Sequence, residues 1–182
     1  MKLYLIRHGE TDWNKKHLYQ GQGNRSLTSL GKKEAQKLAQ ELKSVKADTI
    51  FASDLKRAAE TAKIVNSFQK LPIQVEPLLR EINFGKMEGK PHAEVLRKNK
   101  TYFLPNGLVN YRYVFPDGES WQMVHKRIAK FFRKLKRQPY KTVFIVCHQG
   151  TIKAFLYKLM KYTKHDLSKI QVPNCGYLII DF

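Results

Sequence analysis

Apolar residues in this chain fall into two rhythms that alternate from one end to the other: short unbroken runs, and longer stretches in which every third or fourth position is apolar. Lys2–Ile6, Thr49–Ala52, Ile73–Val75, Thr142–Val146 and Tyr177–Ile180 are runs of the first kind and read as strands. Thr142–Val146 is of the type buried at the centre of a sheet. Between the strands, Ala35, Leu38, Ala39 and Leu42 keep the helical period behind a cap at Thr28 or Ser29. Leu55, Ala58, Ala59, Ala62 and Val65 do so behind Ser53 or Asp54. Trp121, Val124, Ile128, Phe131, Phe132 and Leu135 form one stripe after Asp117-Gly118-Glu119-Ser120, and Thr151–Tyr162 predicts the last long helix. Pro105–Pro116, rich in Gly, Asn, Tyr and Pro, keeps neither period and reads as part of a loop or cap. Strands alternating with helices predict an α/β class: a three-layer α/β/α sandwich with a mostly parallel central sheet, helices on both faces and a small cap or insertion. No internal repeat is visible.

Composition narrows the class without naming a chemistry. A chain of 182 residues fits one domain, or one domain with a small cap, and an apolar content of 42% is that of a globular protein. No run approaches the roughly 18–20 apolar residues of a membrane span, and Met1-Lys2 leads directly into a strand without a cleavage-site pattern. The expectation is a soluble cytoplasmic protein with no membrane partner. The two cysteines, Cys147 and Cys175, have no metal-ligand spacing and read as reduced thiols. Charge changes the picture more: 34 basic against 15 acidic residues leave +19, and Lys126–Lys141 holds eight basic residues and no acidic one. Such a field draws in small anions, and it would also attract nucleic acid or an acidic partner; the plainer reading of the stripe is a solvated helix face.

Chemistry concentrates where strands end. Leu5-Ile6-Arg7-His8-Gly9-Glu10-Thr11 and Cys147-His148-Gln149-Gly150 each release a histidine from an apolar run beside a glycine. Neighbours on a strand point to opposite faces, so Arg7 and His8 converge on one ligand only where the chain turns, and Gly9 supplies that turn. In open α/β sheets the ligand crevice lies at the carboxyl ends of strands, where His8, Ser53, Arg57 and His148 all fall. Arginine offers paired planar donors to phosphate oxygens, and a neutral imidazole offers a nucleophilic nitrogen. Two imidazoles and two guanidinium groups at one sheet edge predict a phosphoryl pocket.

The order of these blocks resembles the histidine phosphatase superfamily, the phosphoglycerate mutase-like fold. Leu5-Ile6-Arg7-His8-Gly9-Glu10-Thr11-Asp12-Trp13-Asn14 is followed by Leu27-Thr28 with Gly31, then by Ser53-Asp54-Leu55-Lys56-Arg57-Ala58 with Thr61-Ala62. Leu79-Arg80-Glu81-Ile82, Phe84-Gly85, Glu88-Gly89, Gly118-Glu119-Ser120 and Cys147-His148-Gln149-Gly150 continue it, so the likeness runs from the first strand to the last helix. The resemblance implies one histidine phosphatase domain over residues 1–182, with a cap-like insertion at about 91–117. It implies that His8 is the nucleophile and becomes a phosphohistidine, and that Arg7, Arg57 and His148 hold the phosphoryl oxygens. Asn14, the Gln20-Gly21 turn and the backbone N–H of Gln149 would add contacts. Glu81 would be the general acid, then the base that activates water. Glu10, Glu88 and Glu119 read more readily as structural groups in caps and ion pairs.

The implied reaction is metal-independent hydrolysis of a small phosphorylated metabolite, without a cofactor; the six histidines show no ligand-like pairing. The alternative within the family is a cofactor-dependent phosphoglycerate mutase. Such mutases usually continue the acid block as Asn-Glu-Arg-His-Tyr-Gly and carry an arginine pair in a longer insertion; here the block is Arg80-Glu81-Ile82-Asn83-Phe84-Gly85, and Arg112 is the sole cation between Tyr102 and Pro116. A second alternative, a nucleic-acid or acidic-partner binding module using the basic helix, is disfavoured because Phe131 and Phe132 fall on the core stripe. Cys147, Gln149, Asn24 and Met87 replace a small residue, a glycine, an aspartate and a tryptophan common in the family. Tyr102, Phe103, Tyr111, Tyr113 and Phe115 stand equally for a pocket lining or for the cap's own small core.

Overall fold

The computed structural model describes residues 1–98, 100–102, 110–160, 162–163, 167 and 169–182. Strands β1 (Lys2–Arg7), β2 (Thr49–Ala52), β3 (Ile73–Val75), β4 (Thr142–Cys147) and β5 (Tyr177–Asp181) form one sheet in the order β3-β2-β4-β1-β5. β1, β2, β3 and β4 run parallel, and β5 lies antiparallel on β1. Alternation along the strands explains the layers. Leu3, Leu5, Phe51, Val143, Ile145 and Cys147 project into one core with helices α5 (Trp121–Leu135) and α6 (Gln149–Leu159). Tyr4, Ile6, Ile50, Ala52, Phe144 and Val146 project into another with α2 (Ser29–Glu41) and α3 (Lys56–Val65). The strands between these layers are buried on both faces, which is why their sequences are continuous apolar runs.

The expected α/β/α layering is the observed one, and the differences are at boundaries. α3 begins later than its sequence suggested: Leu55 is its N-cap and no side chain caps it, because Ser53 Oγ accepts from Leu55 N at 3.3 Å and the Asp54 carboxylate is taken by Arg80. α6 starts at Gln149, directly after His148, and ends at Leu159. Two short helices have no signal in the apolar pattern: α1 (Asp12–Lys15), capped by Thr11, and α4 (His92–Lys98), at the start of the segment expected to be a cap. Phe103 and residues 105–109 of the expected loop lie outside the described residues. Tyr102 and Phe115 are buried in the core shared with α5 and α6, and Tyr113 packs against it, so these aromatic residues fill the core rather than line a pocket. The basic stripe is partly paired: Arg127 meets Glu119, and Lys134 meets Glu76 at 2.8 Å.

The carboxyl ends of β1, β2 and β4 lie together. His8 N donates to Cys147 O and Ser53 N to Val146 O, both at 3.0 Å, so the chain leaves all three strands at one edge. Among the described residues, no helix is long and apolar enough to cross a membrane.

Candidate active site

His8 stands at that edge, fixed from both sides of its ring. Its Nδ1 lies 2.8 Å from Gly9 O, an oxygen that can only accept, so Nδ1 carries the proton and Nε2 keeps its lone pair. Nε2 faces Arg57 Nε at 3.1 Å. The ring is buried, and burial first, then the charges of Arg57 and Arg7, holds its pKa well below 6.5. The imidazole is therefore neutral near pH 7, the form that has a nucleophilic nitrogen. The turn that places it depends on Gly9 and Gly31: a Cβ on Gly9 would lie 2.6 Å from Gly31 O, so the backbone after β1 passes directly over the start of α2. Thr61 on α3 secures the same turn by accepting from Gly9 N at 3.0 Å.

Arg57, on the first turn of α3, is fully buried, and burial pushes its pKa down to about 10. Nη1 and Nη2 donate to Gly23 O and Gly21 O at 2.8 and 2.7 Å, which tie the Gln20–Gly23 loop to the nucleophile. Gly21 adopts φ +48°, and a Cβ there would meet Glu88 Oε1 at 2.0 Å. Glu88 holds the loop from the other side, accepting from Gln22 N at 2.8 Å and Phe84 N at 3.2 Å. Arg7 leaves β1 with its Nη1 donating to Val172 O at 2.6 Å.

The most informative feature is what the site leaves unsatisfied. Among the described residues, Arg7 Nε, Gln20 Oε1 and both ring nitrogens of His148 find no hydrogen-bond partner although they are buried. Unpaired buried polar atoms are costly and rare in native structures, and here Arg7 and Gln20 line the same cavity as His8, against whose ring His148 stands. His148, with its ring centroid 5.1 Å from that of His8, is held neutral by burial and by the neighbouring cations. It is also the N-cap of α6, so the cavity meets the positive end of that helix at Gln149 and Gly150. An anion inserted between Arg7, Arg57, His148 and the α6 N-terminus would satisfy the orphaned donors together.

Glu81 faces the same cavity across from His8. Its Oε2 accepts from Gly150 N and its Oε1 from Ile82 N, each at 2.9 Å. Its backbone is clamped as well: Arg127 Nη2 donates to Glu81 O at 2.9 Å and Nη1 to Leu78 O at 2.7 Å, while Glu119 holds Arg127 and Asn83 N. Glu119 and Glu88 thus act as braces, as does Glu10, which accepts from Thr28 Oγ1 at 2.8 Å.

A cavity of about 350 Å³ joins these groups, lined by Arg7, His8, Asn14, Gln20, Gly21, Arg57, Glu81 and Gln149 among others. His148 adjoins it through His8. The residues expected at the site are thus brought to one place, and two of them have side chains committed elsewhere. Asn14 Oδ1 is occupied by the Thr11 cap, accepting from Thr11 N at 3.1 Å, so only the amide Nδ2 remains to face a ligand. The side chain of Gln149 does not reach into the site; its Nε2 donates to Ile170 O and its Oε1 accepts from Val172 N, each at 3.0 Å, pinning the loop that also receives Arg7. Sequence reasoning missed the lining residues Leu18, Tyr19, Phe84, His92, Trp121, Lys153 and Gln171, and it missed Arg127 as a brace. Lys153 had a signal: it falls four residues after Gln149 and three after Gly150, on the face of α6 turned to the cavity. Among the described residues, no three His, Cys, Asp or Glu side chains gather where a metal ion would fit.

A neutral buried histidine, two arginines, a second histidine and a carboxylate thus lie together where the parallel strands end, a set of groups suited to phosphoryl transfer. The chain belongs to the histidine phosphatase superfamily (branch 1), whose model matches residues 3–182. It is similar to the adenosylcobalamin/alpha-ribazole phosphatase of Escherichia coli, with 33% identity over the whole of this chain and 90% of the relative. The crystal structure of the alpha-ribazole phosphatase from Shigella flexneri superposes with a TM-score of 0.86 at 32% identity, covering 100% of this chain and 90% of that one. A Yersinia enterocolitica protein named "Probable phosphoglycerate mutase GpmB" is 29% identical over all of this chain and 85% of its own length. Both sides of the family, phosphatase and mutase-like, are therefore represented among the relatives.

Proposed function

We propose that this protein hydrolyses a small phosphomonoester through a phosphohistidine at His8. His8 Nε2 attacks phosphorus, the P–O ester bond breaks, and the ester oxygen leaves with a proton from Glu81. Water then attacks the phosphorus of the N–P bond, giving its proton to the Glu81 carboxylate; His8 returns neutral and inorganic phosphate leaves. Arg7, Arg57, His148 and the Gln149 N–H hold the non-bridging oxygens, with Asn14 Nδ2 and the Gln20-Gly21 turn at the periphery. The bond from Arg57 Nε to His8 Nε2 transfers to a phosphoryl oxygen when substrate enters, which frees the lone pair for attack.

The observation that carries this reading is the set of orphaned donors on Arg7 and His148 around a nucleophile whose tautomer is already fixed. Preorganised cationic donors of this kind are the main source of rate in phosphoryl transfer. His92, the first residue of α4, stands in the cavity wall and supports a capping role for that helix on the leaving-group side. Two unpaired cysteines, Cys147 and Cys175, suit a cytoplasmic enzyme. A mutase reading has the GpmB relative in its favour, but the acid block Arg80-Glu81-Ile82-Asn83-Phe84-Gly85 departs from the mutase pattern, and Arg112 is the sole cation between Tyr102 and Pro116.

Phosphate release from a panel of phosphomonoesters in chelating buffer, with wild type and His8→Ala, tests the reading. The expected result is release that persists in chelator and vanishes in His8→Ala. Formation of 2-phosphoglycerate from 3-phosphoglycerate faster than phosphate release would replace it with the mutase reading.

A further inference from the structure

We propose that the outward line of α5 is a docking surface for the sugar-phosphate backbone of duplex DNA, a second binding surface that works without regard to base sequence and apart from the phosphoryl pocket.

Position around the helix sorts the cations of this stretch by role. Val124, Ile128, Phe131 and Leu135 turn one side of α5 into the core. Lys126, Lys130 and Arg133 follow the i, i+4, i+7 spacing on the opposite side, and Arg137 comes in the turn just after the helix. All four are exposed, and the ion pairs of the described residues use none of them. Arg127 and Lys134 lie about a quarter turn round the helix, where they are paired with Glu119 and Glu76. The carboxylates that flank the line are therefore already neutralised, and Lys126–Lys141 contains no other acidic residue to oppose it. A row of unopposed like charges repels itself, and a polyanion laid along it removes that cost.

Shape and composition select the occupant. The row is a line and not a plane, bounded on one flank by the neutral pairs, and from Lys126 to Arg133 it runs about 10 Å along the helix axis. Duplex DNA carries one negative charge per about 1.7 Å of its own axis, so a rod of duplex offers every cation of the row a phosphate. The apolar side chains of α5 are taken up by the core, which leaves the helix no face to insert into a bilayer and no apolar anchor for a protein partner. Phe131 and Phe132 are buried, so unpaired bases find no stacking platform. This counts against a module that reads bases and leaves backbone contact untouched. Trp121, which lines the cavity, packs on the core side of α5, so a duplex on the outer line leaves the phosphoryl pocket open.

Binding to two short DNA duplexes of unrelated sequence is followed by fluorescence anisotropy across a salt series. Wild type is compared with Lys126→Glu/Lys130→Glu/Arg133→Glu and with Lys32→Glu/Lys33→Glu/Lys37→Glu, a reversal of three exposed lysines on α2 that changes the net charge equally. Wild type is expected to bind both duplexes alike, with Kd about 10⁻⁶–10⁻⁴ M near physiological salt and a slope of log affinity on log salt of about −3.6 for four phosphate contacts. The α5 variant loses about three units of that slope and at least about 10-fold in affinity, while the α2 variant keeps the slope. Circular dichroism checks that both fold. Lys126→Gln and Lys130→Gln, each expected to lower the slope by about one, give the same test should the triple variant not fold. Equal losses in the two triple variants would assign the binding to net charge and overturn the inference. So would the absence of binding in about 50 mM salt, or tighter binding to phosphatidylserine vesicles that is lost with the same three residues.

Discussion

Gly150→Ala separates the geometry of Glu81 from the stability of the fold. Gly150 is the second residue of α6, and a Cβ built there lies 2.2 Å from Glu81 Oε1, 3.1 Å from its Cδ and 2.9 Å from Trp121 Cη2. Ordinary contact begins near 3.4 Å, so the carboxylate must retreat by the difference, 3.4 − 2.2 = 1.2 Å. Glu81 can retreat, because the clashing atom is the far end of a flexible side chain, and the helix itself gains up to about 1 kcal/mol when alanine replaces glycine. Overpacking against Trp121 costs about 1–3 kcal/mol, so the net loss of stability is expected to stay under about 2 kcal/mol. Catalysis is less tolerant, since a displacement of about 1 Å at a reacting group costs roughly 100-fold. The assay is kcat for an alkyl phosphate, whose alkoxide needs a proton, against kcat for p-nitrophenyl phosphate, whose phenolate leaves with little help. The expected result is a loss of about 100-fold on the first and less than about 10-fold on the second, with a two-state melt retained. Equal losses on both substrates, or retention of alkyl phosphate turnover within about threefold, would refute the role given to Glu81 and to the glycine that makes room for it.

The two site histidines give a prediction with a definite sign. Burial lowers the folded pKa of His8 and His148 well below 6.5, so below pH 6.5 the unfolded chain binds more protons and the empty enzyme loses stability as pH falls. Ring NMR signals of both residues are expected to stay those of neutral imidazole as pH drops through 6.5; protonation midpoints near the ordinary value would contradict the assignment. Arg127→Met removes the brace under Glu81 and leaves the half-buried Glu119 without its cation, at a cost of about 1–3 kcal/mol in chemical denaturation. A change below about 0.5 kcal/mol would return Arg127 to the solvated stripe. Gln149→Gly frees Ile170 and Val172 from α6, and KM is expected to rise about 3- to 10-fold with faster hydrogen exchange at Val172 N; unchanged exchange would count against the pin.

How much of this was legible in the sequence depends on the range of the interaction that fixes each feature. The strands and the helix stripes follow from local periodicity, and the two cores from the alternation of Leu3, Leu5 with Tyr4, Ile6. The convergence of His8, Arg57 and His148 followed from a topological rule, that parallel strands deliver their ends to one edge. Local propensity misled at α3, where Ser and Asp both promised a cap and Arg80 took the aspartate from a distance. Arg127 was hidden for a similar reason. Its neighbours Lys126, Lys130 and Arg133 made a solvated stripe the simplest reading, and only the tertiary placement of Glu119 and Leu78 turned it inward. Gln149 was read for its backbone donor, while its side-chain partners lie more than 20 residues away in a loop with no periodic signal.

The central claim, that His8 carries the phosphoryl group, is tested most directly by trapping the phosphoenzyme. Wild type and His8→Ala are mixed with a radiolabelled phosphomonoester, quenched in alkali within one turnover, and the label is mapped by peptide. The account predicts label on His8 that survives alkali, is lost in acid and is absent from His8→Ala. Label retained in His8→Ala, or phosphate release from wild type with no labelled intermediate, would contradict it.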